Sequence, residues 1–125
     1  MKKVIETTEA PAPIGPYNQA ILVDNTLYSS GQIALNPKTM KLVNENIQAE
    51  TTQVMKNLLE VLKAAGMDFT NVVKATIYLA DMEDFVLVNE VYGRYFNDDA
   101  PARETVQVSQ LPKNVRIEIS VIAIL

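Results

Sequence analysis

Apolar residues recur at three- and four-residue spacing through Ile47, Val54, Met55, Leu58, Leu62 and Ala65, which predicts an amphipathic helix with Asn46 as N-cap and Gly66 as C-cap. Directly after it the period changes to two. Val73, Ala75, Ile77 and Leu79 alternate with Lys74, Thr76 and Tyr78, so 72–79 is expected to be a strand with one apolar face. A second helical stripe, Phe85, Val88, Tyr92, Tyr95 and Phe96, runs up to Asn97, and Asp81 with Asp84 forms a capping arrangement at its start.

Upstream, 4–7 reads as a short strand, followed by a loop that Pro11, Pro13 and Pro16 make too stiff to be helical. Two strands at 18–23 and 26–31 flank Asp24-Asn25, a pair that tolerates the positive φ of a two-residue hairpin. Downstream, 103–109 and 115–124 read as strands joined across 110–114. No internal repeat or linker interrupts the chain, so residues 1–125 are expected to be one domain.

A hairpin, a helix, a strand, a helix and two further strands give an α+β fold: a mixed sheet with both helices on one face. The other face is left open. It is expected to carry Thr105, Gln107 and Ser109 from one strand and Arg116, Glu118 and Ser120 from another, with Tyr28, Tyr78, Ile122 and Ile124 adding apolar area. Such a face is either solvated or hidden by assembly into a closed ring, and we favour assembly.

Composition narrows the chemistry. The chain has no His and no Cys, which excludes a serine triad with histidine, a thiolate nucleophile, an imidazole base and a thiolate zinc site. Its net charge of −4, with no basic run longer than Lys2-Lys3, opposes binding to nucleic acid or anionic lipid. No segment has the apolar length of a signal peptide or membrane span, and a cytoplasmic location is expected. Against this background Ala100-Pro101-Ala102-Arg103-Glu104-Thr105-Val106 stands out, because it delivers one arginine from a proline-stiffened turn onto a strand, as an anion site requires.

Five fragments in order, Ile14-Gly15-Pro16-Tyr17, Ser30-Gly31-Gln32-Ile33, Asp84-Phe85 with Val88-Asn89, Pro101-Ala102-Arg103, and Leu111-Pro112-Lys113 with Arg116-Ile117-Glu118-Ile119, resemble the signatures of the reactive intermediate deaminase (RidA/YjgF) family. The resemblance spans nearly the whole chain. It implies a chorismate-mutase-like fold, a homotrimer, and clefts between subunits. There, enamines and imines of the 2-aminoacrylate and 2-aminocrotonate type are hydrolysed to 2-oxo acids and ammonia, with no cofactor and no metal. The implied partner is a small carboxylate-bearing imine or enamine.

The same resemblance implies roles for single residues. Arg103 anchors the substrate carboxylate through its planar fork, the alternative being a surface pair with Glu104 or Asp99. Glu118 is the general base or water holder; otherwise it merely offsets Arg116 on the strand surface. Tyr17 closes the cleft or packs on the proline loop, and Ser30 and Gly31 bring backbone close to the ligand or simply end a strand. Asn89 lies at the cleft or faces solvent. Thr105, two residues past Arg103 and so on its side of the strand, adjoins the substrate, and it stands where many members carry cysteine. Ser120 and Glu104 also depart from the family pattern. Beside the hydrolase, two readings stay open: a metabolite-binding regulator using the same cleft, and an RNA-directed activity that no basic, aromatic-interleaved stripe supports.

Overall fold

Six strands form one sheet in the order β1-β2-β3-β6-β4-β5 in the computed structural model, which describes residues 1–125. The strands are β1 (Lys2–Ile5), β2 (Ala20–Val23), β3 (Thr26–Ser29), β4 (Val72–Leu79), β5 (Ala102–Gln107) and β6 (Ile117–Ile124); the helices are α1 (Ile47–Ala64) and α2 (Phe85–Gly93). β4 and β5 run parallel, which needs a crossover, and α2 supplies it; the remaining pairings are antiparallel.

The long helix follows its sequence signals. Asn46 Oδ1 accepts from the Ala49 amide at 2.7 Å, and at the far end Gly66 takes φ +74° while its amide and that of Met67 return to the carbonyls of Lys63 and Leu62. That pairing closes the helix as a Schellman turn, which only a residue at ease with positive φ permits. Val54, Met55, Leu58, Val61 and Leu62 then meet Leu27, Ala75, Ile77, Leu79, Ile117, Ile119 and Val121 from the sheet, and Val88 and Tyr92 of α2 join the same core. Both helices thus cover one face. Each fully buried leucine or isoleucine there contributes about 1.5–3 kcal/mol. No helix is long and apolar enough to cross a membrane.

The hairpin turns at Asp24 with φ 53°, pairing Val23 with Thr26, as the Asp24-Asn25 pair predicts. Several expectations need correction. The first strand spans 2–5 rather than 4–7, pairing Lys2 with Val23. In β4 the register slips between Val72 and Lys74, so Val73 is bulged outward and exposed while Val72 takes its place in the core. The second helix ends at Gly93, so Tyr95 and Phe96 pack from the following turn. Asp84 caps nothing: its carboxylate binds Arg116 at 3.1 Å (Nε) and 2.5 Å (Nη2).

The expected membership of the open face also changes. Ala75 pairs with both Arg103 and Val121, and Ile77 with both Thr105 and Ile119, so Arg103, Thr105 and Gln107 point to the helix side. Glu104 and Val106 share the open face with Lys74, Tyr78, Glu118, Ser120 and Ile122. Arg116 does not accompany Glu118 there, because Asp84 holds it.

Candidate active site

Two groups of the expected residues form, one on each side of the sheet. Rungs decide the separation: Tyr78 pairs with Val106 and Glu118, Ala75 with Arg103 and Val121, and neighbouring rungs alternate in face. Within one chain, Arg103 and Glu118 therefore cannot share a ligand.

On the open face, Glu118 stands beside Gly31. Between the pairs Tyr28↔Ile122 and Gln32↔Ile119 the chain advances four residues on one side and three on the other, so an extra residue bulges out before Gln32. Ser29 Oγ fills the gap in the ladder by accepting the Val121 amide at 2.9 Å. The bulge turns Gly31 toward the glutamate so closely that a Cβ at position 31 would lie 2.6 Å from Glu118 Cδ and 2.8 Å from Cγ. Gly31 is needed here for space. Burial raises the pKa of Glu118, and no hydrogen bond or ion pair within the chain compensates its charge. A half-buried carboxylate without a partner is suited to accept a proton.

A small recess of about 60 Å³ opens in front of Glu118, walled by Ile14, Tyr17, Gly31, Ile33 and Pro112. The proline loop reaches it because of a residue that sequence reasoning missed. Gln19 is 2% exposed; its Oε1 accepts from the Thr7 amide at 2.7 Å, and its Nε2 donates to the carbonyls of Thr7, Ala10 and Pro11 at 3.0, 3.2 and 2.8 Å. One amide thus satisfies four backbone groups of a segment without regular structure. A polar residue leading directly into the apolar run Ala20–Val23 was the available signal. Tyr17 also touches its own loop, its hydroxyl accepting from the Ile14 amide at 3.4 Å. Ser30 Oγ donates to the Asn18 carbonyl at 2.5 Å, tying the loop's exit to the strand end beside Gly31.

On the helix side, Arg103 and Thr105 point from β5, and Arg103 meets α2 at Phe85 and Tyr92, the turns that flank Asn89. Neither surface pair considered for Arg103 forms: Glu104 is bound by Lys74 at 3.1 Å on the opposite face, and Asp99 makes no ion pair with it. The guanidinium instead lies over the rings of Tyr92 and Phe85. Asn89 Oδ1, Thr105 Oγ1 and the Tyr92 hydroxyl are buried there without a partner. A buried polar atom left unpaired costs about 1–3 kcal/mol, so these three groups are unsatisfied in the isolated chain. No three His, Cys, Asp or Glu side chains converge where a metal ion could sit.

On the helix side too, Glu50 is buried in α1. Its Oε2 accepts the Arg116 amide at 2.7 Å where β6 begins, and burial raises its pKa against the opposing backbone hydrogen bonds and the charge of Arg116.

Residues 7–125 match the family model described as Endoribonuclease L-PSP. A Homo sapiens protein named 2-iminobutanoate/2-iminopropanoate deaminase is 53% identical over 124 residues, 99% of this chain and 90% of the human one. The crystal structure of RidA from the Antarctic bacterium Psychrobacter sp. superposes with a TM-score of 0.95 at 41% identity, covering 98% of this chain and 99% of that one. E. coli TdcF, solved with bound serine, gives 0.93 at 36% identity over 98% of both chains.

Proposed function

The chain belongs to the Endoribonuclease L-PSP family, that of the RidA/YjgF proteins, and from that premise we propose that it is a hydrolytic deaminase. Its substrates are reactive enamines and imines of the 2-iminobutanoate and 2-iminopropanoate kind, and its products are 2-oxo acids and ammonia. The observation that carries the details is the pair of incomplete half-sites: an unpartnered, desolvated Glu118 on one face and an unpaired Arg103 beside orphaned polar atoms on the other.

The two halves meet when copies assemble, with the open face of one against the α2–β5 edge of the next. A homotrimer of chorismate-mutase-like domains, each spanning 1–125, closes such a ring and covers Tyr28, Val106 and Ile124, which an isolated chain leaves 49%, 41% and 47% exposed. A cytoplasmic setting suits a protein that intercepts products of amino-acid dehydration.

In the cleft, Arg103 grips the substrate carboxylate bidentately, with hydrogen bonds to charged groups contributing about 1.5–3 kcal/mol each. Asn89 and Thr105 complete that subsite. The enamine is protonated at carbon to give the iminium, whose carbon is already electrophilic. Glu118 takes a proton from a water as its oxygen bonds to that carbon, forming the carbinolamine. Glu118 passes that proton to the nitrogen; as the C–N bond breaks and ammonia leaves, the hydroxyl gives its proton to Glu118 and the carbonyl forms, and Glu118 returns the proton to solvent in place of the one taken up at carbon. Tyr17 walls the site and the Gly31 backbone lets the substrate close on Glu118. No group of the protein becomes covalently attached.

The experiment is ammonia release from the transient product of a serine or threonine dehydratase, with and without the protein. Acceleration in wild type and its loss in Arg103→Ala is expected; equal rates for the two would remove the anchor. Binding of a 2-oxo acid without any acceleration would leave a metabolite-binding regulator instead. An RNA-directed activity, which the family's description names, is disfavoured by the net charge of −4.

A further inference from the structure

Arg103 is held in an unusual way for a buried-edge arginine. Its Cζ lies 5.1 Å from the centroid of Tyr92 and 5.7 Å from that of Phe85, and it makes no ion pair with any acidic residue of the chain. The acidic neighbour most able to reach it, Glu104, projects to the other side of the sheet and is occupied by Lys74. A guanidinium held by a resident carboxylate would have to release it before gripping another. One held over ring faces spends no carboxylate hydrogen bond on its seat, which leaves its N–H groups available to a carboxylate that arrives.

Phe85 and Tyr92 are seven residues apart, two turns along one face of α2. Tyr92 is 6% exposed and is itself fixed, its ring 4.8 Å from that of Phe96, which meets Phe69 edge-on at 5.5 Å. Its hydroxyl has no partner, so what Tyr92 presents to Arg103 is the ring.

We propose that Tyr92, seconded by Phe85, is a positioning residue that seats the Arg103 guanidinium flat and turns its N–H edge toward the substrate carboxylate. This rests on the reading of Arg103 as the carboxylate anchor. Tyr92 sets carboxylate affinity without touching the substrate, and it does so through its π face rather than its hydroxyl.

The test is the Kd of the full-length protein for 2-oxobutanoate, measured by calorimetry beside the rate of imine hydrolysis. Tyr92→Leu is expected to raise Kd about 5- to 30-fold, and Tyr92→Phe, which keeps the ring, to restore wild-type affinity. Because Tyr92→Leu can also loosen the core, a second series replaces residue 92 by phenylalanine carrying one, two and three fluorines. Fluorination weakens the ring's negative face at nearly constant shape, so log Kd should rise stepwise while the thermal midpoint stays level. A flat fluorination series, or a Tyr92→Phe variant as weak as Tyr92→Leu, overturns the proposal. If wild type hydrolyses imine yet the substitutions leave Kd unchanged, the seat is lost and the deaminase reading stands; if wild type neither binds nor hydrolyses, both fall.

Discussion

Gly31 and Glu118 occupy one space: the hydrogen at position 31 is the only substituent that lets the carboxylate lie against the bulged backbone. Gly31→Ala places a methyl 2.6 Å from Glu118 Cδ, so the glutamate must swing away. We expect kcat for imine hydrolysis to fall on the order of 100-fold, as for a displaced general base. Affinity for a 2-oxo acid, which the proposed site assigns to Arg103, should change far less. Steady-state kinetics beside calorimetry separates the two.

The raised pKa of Glu118 predicts that the acid limb of kcat/KM inflects above the ordinary glutamate value of 4.5. Glu118→Gln should abolish that limb along with most of the rate. Stability follows the same sign. The unfolded chain gives up this proton near 4.5 while the folded protein keeps it to higher pH, so stability is lost as pH rises from 4.5 through the folded value. Glu50, whose pKa burial also raises, contributes in the same direction. Glu50→Gln should flatten the decline in denaturant midpoints over that window and leave the acid limb in place.

Because the sheet separates Arg103 from Glu118, Arg103→Ala and Glu118→Gln should each be inactive alone and complement one another. Unfolding and refolding an equal mixture is expected to recover about a quarter of wild-type activity, since random assembly joins two intact half-sites at roughly one interface in four. No recovery, with mixed oligomers verified by mass spectrometry, would place the whole site within one chain.

Arg116→Ala removes the partner of a carboxylate that is 7% exposed. Arg116 is itself about half exposed, so solvent screens part of the pair, and we expect a loss of about 1–2 kcal/mol rather than the larger cost of a fully buried pair. Asp84→Asn with Arg116→Gln should recover part of it. Urea unfolding of wild type and the two variants measures this.

Gln19→Met keeps the volume of the side chain and deletes its four hydrogen bonds to the Thr7–Pro11 backbone. We expect about 2–3 kcal/mol of destabilisation. KM should rise with it, because the segment that carries Tyr17 loses its tether. Limited proteolysis between Thr8 and Tyr17 reads the loosening directly.

The helix α1, its Asn46 cap and the Gly66 stop were legible because periodicity, cap and stop agree along one stretch of chain. The Asp24-Asn25 hairpin was legible for a similarly local reason. Facing in β5 was not. Its two alternating sets, Arg103-Thr105-Gln107 and Ala102-Glu104-Val106, are equally mixed, so neither declares itself inward until pairing with β4 fixes the register. Val73 misled for the opposite reason: an apolar residue fits the stripe, but the bulge shifts the count by one. At the site, resemblance pointed to Arg103 and Glu118 as single residues, whereas Lys74, Tyr92 and Gln19 act by what they hold in place, which only long-range contacts disclose.

The three prolines that lead to Tyr17 have a kinetic consequence. With φ already fixed at Pro11, Pro13 and Pro16 and the Thr7–Pro11 backbone tied to Gln19, that wall has little conformational freedom left to lose when a guest arrives. A compound that decays on its own within moments gains nothing from a catalyst that must first open and then shut; it is best met by a doorway whose throughput is set by collision.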